Sequence, residues 1–430
     1  MTSLWHDTAT LPRFPSLPHG ASCDVLVIGG GMAGLLTLHE LRRRGVDCLL
    51  IEAGRIGSGT TGGTTAVLTA QHDTLYSDLI RSFGRETAKA YLYANLDAVE
   101  RFRELAARIP CGFADAPSCL YTLSSPARLQ REASAVQSLG FPAQFTQQTE
   151  LPLPVRGAVY YSGMAQFHPL RFLAGLVPGL PIFERTRALR IEPGVVHTDR
   201  GSIRARSVIV CTHFPILNRR GLYFVKQYQM RSFVVALKNA PVLQGTYAGT
   251  EQGGLYFRSY EDLLIVGGSD HRTGKSGGFD TVEAFVRRTW PQARITHRWA
   301  AQDCMSLDGV PYIGPYSPAT PGLFVATGFN EWGMTTSMVA SRILADAVTG
   351  QANPYAAAFA PQRGLARPQL LVNLFETTLG LLWPTARRCT HLGCALHWNP
   401  QEHTWDCACH GSRYAPDGRL LDNPALHGRR

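Results

Sequence analysis

The residues best equipped for chemistry lie near the C-terminus. They read Cys389-Thr390-His391-Leu392-Gly393-Cys394 and then, with fifteen residues between His391 and Cys407, Cys407-Ala408-Cys409-His410-Gly411-Ser412. Thiolates and imidazoles at this density are metal donors. Each box offers one cysteine and one histidine, plus a further cysteine. Zinc could occupy such a set, although zinc sites more often pair C-x2-C with H-x3-H or a second C-x2-C. Cys23, Cys48, Cys111, Cys119, Cys211 and Cys304 are isolated, so the tail reads as a site and not as part of a secreted disulfide framework.

A second constellation lies near the start. Asp24 to Ile28 has the pattern of a buried strand, Gly29-Gly30-Gly31-Met32-Ala33-Gly34 is a tight turn opening an apolar helical run, and Val46 to Glu52 is a strand ending in an acid. This is the layout of a dinucleotide-binding βαβ unit. Gly29 serves the turn, Gly31 the approach to a pyrophosphate on the helix N-terminus, and Gly34 the helix–strand contact. Glu52 stands where a carboxylate accepts from ribose hydroxyls. The Gly/Ser/Thr-rich stretch from Arg55 to Ala66 can wrap a diphosphate and the ring beyond it, which makes Gly59, Thr61, Thr64, Thr65 and Ala66 candidate contacts.

Large elements must position these two groups. With 430 residues the chain has room for two or three domains. Net charge is +10, but only Arg42-Arg43-Arg44 and Arg429-Arg430 cluster, which favours a solvated face and a basic tail over nucleic-acid binding. No signal peptide is evident, and the longest apolar stretch, Leu370 to Trp383, is interrupted by Asn373, Glu376 and two threonines. No integral membrane segment is expected, and the expected location is cytoplasmic.

Residues 1–20 read as an extended arm with Trp5 as its anchor. One helix is expected from Tyr76 to Ile109, with Leu92, Leu96, Val99, Phe102, Ala106 and Ile109 on one face. Phe183 to Ile191 and Val195 to Thr198 read as strands, and Ser207 to Thr212 as a buried strand whose following loop meets a ligand. Residues 222–300 carry the alternation of antiparallel strands. The stretch from Leu323 to Gly328 runs into a helix ending near Val348, and Leu370 to Trp383 reads as a further helix.

The fingerprint, the Gly/Thr loop, Asp308-Gly309-x-Pro311-x-Ile313-Gly314 and Gly328-x4-Gly333 resemble the D-amino-acid oxidase / glycine oxidase superfamily of FAD-dependent oxidoreductases. The resemblance spans nearly everything before residue 350. It implies an α/β fold with a doubly wound, Rossmann-like FAD-binding domain (about 21–75, 160–215 and 303–350) and an inserted α+β substrate domain (about 76–159 and 216–302). It implies FAD contacts at Gly29, Gly31, Gly34, Glu52 and the Gly/Thr loop, at Ala188 by the adenine, at Thr212 and Gly314, and at Gly328, Trp332 and Gly333 near the flavin ring. There are departures. Met334-Thr335 stands where sarcosine oxidase-like members carry a carboxylate-binding lysine, and His213 where many members have glycine. Cys304 is one position from a covalent flavin attachment point and reads as an inert buried residue.

The tail resembles the Rieske iron–sulfur signature, in which two cysteines hold one iron and two histidines the other. The resemblance implies a [2Fe–2S] cluster with Cys389 and Cys407 on one iron, His391 and His410 on the other, and a disulfide between Cys394 and Cys409. Ser412 and Tyr414 match donors to a bridging sulfide and a ligand sulfur, which places the potential in the upper part of roughly −150 to +300 mV. Ala408 replaces the usual proline. After a linker with a helix (351–386), the module (387–430) is expected to be two cluster loops with little base sheet, completed against the flavin domain.

Together the two resemblances imply an enzyme. It would oxidise a small, amine-like donor by hydride transfer to FAD, pass electrons singly to the cluster, and hand them to a partner protein. A partner-fed reductase with reversed flow and a non-enzymatic redox sensor stay open. The catalytic base is unidentified: His72, Arg258 and His271 are candidates, with Gln71 and Tyr256 polar and near the cap.

Overall fold

The computed structural model describes residues 2–217, 220–275 and 277–429. Strand Ser22–Ile28 is the spine of the first sheet. Val25 to Ile28 are all buried, as a strand covered on both faces requires. It pairs in parallel with Cys48–Ile51 on one side and Gly201–Val210 on the other. Ile182–Phe183 and Leu323–Thr327 extend the sheet in parallel, and Tyr312–Pro315 and the Ala188–Glu192/Val195–Thr198 hairpin add antiparallel edges. Helices Met32–Arg43 and Gly333–Thr349 pack against each other. A Cβ on Gly34 would come 1.9 Å from the Gly29 carbonyl oxygen, so only glycine lets the first helix sit this close to the turn.

The second sheet has eight strands, in the order Arg294–Ser306, Gln227–Lys238, Leu263–Arg272, Tyr256–Tyr260, Thr246–Gly249, Ser118–Thr122, Gly157–Tyr161 and Gln144–Thr146. Two distant stretches of chain meet in it through parallel pairing of Ser118–Thr122 with Thr246–Gly249. This is the expected α/β architecture with an inserted substrate domain.

Four local expectations change. The helix expected over Tyr76 to Ile109 is two, Tyr76–Phe83 and Arg85–Ala106, broken at Gly84, which takes φ +84°. The strand expected from Phe183 to Ile191 is split at Arg185 (φ 51°), so that Ile182–Phe183 joins the parallel sheet and Ala188–Glu192 the hairpin. The arm is not fully extended: Leu4–Thr8 is a short helix capped by Ser3. Its Trp5 is fully buried and donates to the Thr64 carbonyl at 2.6 Å.

The fourth change concerns the tail, which does have a base sheet: Leu396–Asn399, Thr404–Cys407, Arg413–Tyr414 and Leu420–Asp422 pair in sequence. The strands are two to four residues long, too short for alternation to show. Arg413, 5% exposed, ties them together by donating to Asp406, Thr404 and Asp422 at 3.0–3.1 Å. Helix Pro368–Leu382 leads into the module, and its Gly380 lies so close to Cys409 that a Cβ would come within 2.5 Å of the sulfur. Among the described residues no helix is long and apolar enough to cross a membrane.

Candidate functional site

A cleft of about 370 Å³ opens at the carboxyl ends of the parallel strands. Gly29, Gly31, Glu52, Gly59, Thr61, Ala188, Thr212, Gly328 and Gly333 all line it, as the FAD assignment requires. The donor set fits a dinucleotide. The Glu52 carboxylate accepts from the backbone of Gly30 and Gly54, both at 2.7 Å, which fixes it at the cleft floor. Burial pushes its pKa up, and these two bonds partly offset that. Thr61 Oγ1 accepts from Met32 at 3.0 Å and ties the Gly/Thr loop to the helix N-terminus. A Cβ at Gly59 would meet nothing within 4 Å, so this backbone faces open space.

Six assigned contacts do not line the cleft. Gly34 serves packing, as above. Ala66 is buried, and its carbonyl accepts from Arg258. Gly314 sits against Pro361 behind the sheet. Thr64, Thr65 and Trp332 line the neighbouring cavity instead.

That second cavity, about 130 Å³, lies between the cleft and the eight-stranded sheet. Thr60, Asp303, Gly333 and Met334 line both spaces, so the two adjoin. Four carboxyl groups line the cavity: Asp73 and Glu331 from loops, Asp270 and Asp303 from the two strands that flank Gln227–Lys238. Asp73 and Glu331 are solvent-exposed at the cavity, although crowded by surrounding protein, and Asp73 accepts from Trp332 Nε1 at 3.3 Å. Burial, then Asp303 and Asp73, pushes Asp270 up to about 7. Burial also pushes Asp303 up to about 7, with Arg231 opposing. Glu331 is raised by burial and by the three aspartates, and Asp73 is raised by burial.

The candidate bases fare differently. His72 has both ring nitrogens engaged, by Tyr91 Oη at 2.7 Å and the Thr69 carbonyl at 2.8 Å, and burial pushes it down to about 3. It buttresses Trp332, on which it stacks at 5.2 Å. His271 stacks on Phe233 at 5.6 Å, with Nδ1 on the Ser269 carbonyl, and does not line the cavity. Gln71 is buried and donates to the Val159 carbonyl. Arg258 and Tyr256 do line the cavity. Arg258 donates to the carbonyls of Thr65, Ala66 and Phe167, and burial pushes it down to about 9. The four carboxyls went unmarked in the sequence because they come from four separate segments with no common spacing.

In the tail, the Cys389 and Cys407 sulfurs are in hydrogen-bonding contact, and the His391 and His410 rings lie 4.9 Å apart. Burial keeps both imidazoles neutral, the form that binds metal, with His391 pushed down to about 4 and His410 to about 3. His410 is 1% exposed and its Nδ1 has no hydrogen-bond partner, a buried nitrogen that metal ligation would satisfy. Tyr414 Oη lies 3.3 Å from the Cys389 sulfur. Ser412 Oγ instead accepts from the Ala425 backbone at 3.0 Å. The expected Cys394–Cys409 disulfide is not formed: both are free thiols. The Cys394 sulfur is shared between those of Cys407 and Cys409, all three within 4.8 Å of one another.

The two sites are joined. Leu420 to Asn423, Ala425 and Leu426 of the tail line the flavin cleft. His213, also in the cleft, meets Gln229 Oε1 at 3.1 Å, and Gln229 Nε2 donates to the His410 carbonyl at 2.6 Å. Gln302 donates to Gln229 Oε1 and to the Gly411 carbonyl. Phe214 packs edge-on against both histidine rings, at 6.2 and 6.1 Å. Arg272 donates to the carbonyls of Ala408 and Cys409, and Arg231 forms a buried ion pair with Glu402.

Comparison with known proteins agrees with this division. The FAD dependent oxidoreductase family, DAO, matches residues 24–347, and the Rieske [2Fe-2S] domain matches residues 367–428. The chain is 34% identical to YhfW of Bacillus subtilis (strain 168), named as a Rieske 2Fe-2S iron-sulfur protein, over 98% of this chain and 96% of that one. It is 23% identical to gamma-glutamylputrescine oxidoreductase of Escherichia coli (strain K12), over 80% of this chain and 87% of that one. In fold it is similar to glycine oxidase from Geobacillus kaustophilus, with a TM-score of 0.69 and 22% identity, over 80% of this chain and all of that one.

Proposed function

Because the chain belongs to the family of FAD dependent oxidoreductases and carries a Rieske [2Fe-2S] domain, we propose that it oxidises a small amine and sends the electrons on, one at a time, to its own cluster. When bound, FAD supplies a two-electron hydride acceptor and the cluster a one-electron acceptor. In this reading Gly29, Gly31, Gly59 and Thr61 hold the diphosphate, Glu52 the ribose, and Gly328 and Gly333 the ring edge. Cys389 and Cys407 hold one iron, His391 and His410 the other. The cavity lined by Asp303 and Trp332 receives the donor. A partner protein then drains the cluster. The substrate named for the E. coli relative, gamma-glutamylputrescine, belongs to the proposed amine class.

The observation that carries this reading is the short bridge from cleft to cluster loop. His213 lines the cleft, Gln229 connects it to the His410 backbone, and Phe214 fills the space beside both histidines.

The test is anaerobic rapid mixing of the holoprotein with candidate amines, following flavin absorbance and the EPR signal of the reduced cluster. Flavin bleaching followed by cluster reduction is expected. Gln229→Leu should slow the second phase at least tenfold while leaving the first and the iron content intact. Bleaching with a permanently oxidised cluster would refute intramolecular transfer.

A further inference from the structure

The donor cavity holds four carboxyl groups and one cation, and that cation is already occupied. Arg258 donates through Nη1 to three backbone carbonyls and, among the described residues, forms no ion pair with any of the four acids, so its single charge leaves most of theirs unbalanced. Arg231, behind Asp303, is committed to Glu402. Two polar atoms in the wall have no protein partner. Arg258 is 1% exposed and its Nη2 is unpartnered, and Oδ1 of Asp270 is buried without a donor. Buried polar groups in folded proteins are almost always satisfied, so these two point to a ligand that completes them. Asp270 needs a donor. Arg258 Nη2 has N–H groups to donate, and an amide or hydroxyl oxygen can receive one without bringing a further negative charge up to the four acids.

Taking the reading above as its premise, we infer that this cavity selects a small aliphatic amine that is cationic at neutral pH and carries no carboxylate beside the reacting nitrogen. Asp270, Asp303, Asp73 and Glu331 are the specificity-determining residues. Coulomb's law sets the sign: an ammonium lowers the mutual repulsion of the four carboxyls, and a carboxylate adds to it. Asp303 reaches into both cavity and cleft, so the ammonium it holds lies where the flavin ring edge is expected. The volume of about 130 Å³ resembles cavities that hold roughly six non-hydrogen atoms, the size of a short diamine. A zwitterionic amino acid of similar size fits sterically and is refused by charge. Burial raises Asp270 and Asp303 to about 7, with neighbouring carboxyls adding to it at Asp270, so at pH 7 part of the quartet is protonated and a cation entering must displace protons.

The test uses the holoprotein with 1,4-diaminobutane, glycine and sarcosine as probes. Binding is read from the perturbation of the flavin spectrum without turnover and, separately, by calorimetry in two buffers of different ionisation enthalpy. The diamine is expected to bind at least tenfold more tightly than either amino acid and to release protons at pH 7. Asp303→Asn and Glu331→Gln should each weaken it by roughly 10- to 100-fold while narrowing the gap to sarcosine. Flavin content and far-UV circular dichroism show whether these near-isosteric variants are folded. Tighter binding of glycine or sarcosine, or variants that leave diamine affinity unchanged, overturns the inference. The two readings fail separately. Diamine binding that depends on Asp303 but never bleaches the flavin keeps cation selection and removes amine oxidation. Bleaching by an amino acid with cluster reduction does the reverse.

Discussion

Neutralising Glu402 should release the tail from the body. Glu402 and Arg231 are each 6% exposed, the first in the tail and the second in the strand Gln227–Lys238, and Arg413 of the tail reaches the same carboxylate at 3.0 Å. Losing one partner of such a buried pair costs about 3–5 kcal/mol, because the remaining charge stays desolvated. Glutamine keeps part of the hydrogen bonding, so Glu402→Gln is placed at the lower end, about 3 kcal/mol, or roughly 150-fold in the docking equilibrium. Trypsin reports that equilibrium, since Arg413 is 5% exposed, is held by Asp406, Thr404 and Asp422 of the tail itself, and is cut only when the undocked tail loosens. Cleavage after Arg413 should accelerate by up to about two orders of magnitude while iron content stays near the two atoms per chain of one [2Fe–2S] cluster. The pH dependence of the wild type has a definite sign. Burial pushes the Glu402 carboxyl up, but Arg231 and Arg413 more than offset this, and its pKa falls below 4.5. Docking stabilisation from this group is therefore complete above about pH 4.5 and is lost as pH falls through the lower, folded value. Arg231→Met combined with Glu402→Leu should restore protection, since an apolar pair removes both buried charges. A change of less than threefold in cleavage for Glu402→Gln would refute the reasoning.

Three further outcomes are expected. Tyr414→Phe removes a donor near the Cys389 sulfur, and a net hydrogen bond of about 1–1.4 kcal/mol corresponds to roughly 40–60 mV for one electron, so potentiometric titration should show the cluster potential lowered by that amount. Gly34→Ala would place a Cβ 1.9 Å from the Gly29 carbonyl oxygen, so the purified protein should contain less than a tenth of the wild-type flavin, measured by absorbance after denaturation. Asp270 and Asp303, pushed up to about 7 by burial, are charged only above that pH, so the Kd for 1,4-diaminobutane should fall as pH rises from 6 to 8; a flat profile would exclude them as the anionic partners. Those two groups also hold protons between about pH 4 and 7 that the unfolded chain releases, so on their own they make the fold more stable at the acid end of that window.

What could be read from the sequence was what is local in it. Gly29, Gly31, Gly34 and Glu52 fall within one βαβ unit, so spacing alone carries their roles, and the tail ligands sit in two short boxes. Gly84 and Arg185 were misread because hydrophobic periodicity continues through both, while the backbone turns at positive φ. The cavity acids were invisible for the opposite reason. Asp270 and Asp303 lie on different strands that become near neighbours only because both flank Gln227–Lys238. The Gln229 and Gln302 contacts to the cluster loop depend likewise on how two domains meet, for which neutral amides leave no compositional trace.

The strand Leu420–Asp422 and the residues that follow it form one wall of the flavin cleft. A dinucleotide held in the cleft therefore rests against tail and body at once. Lifting the tail would strip one side of its contacts, so the grip on one cofactor is tied to the integrity of the module that holds the other.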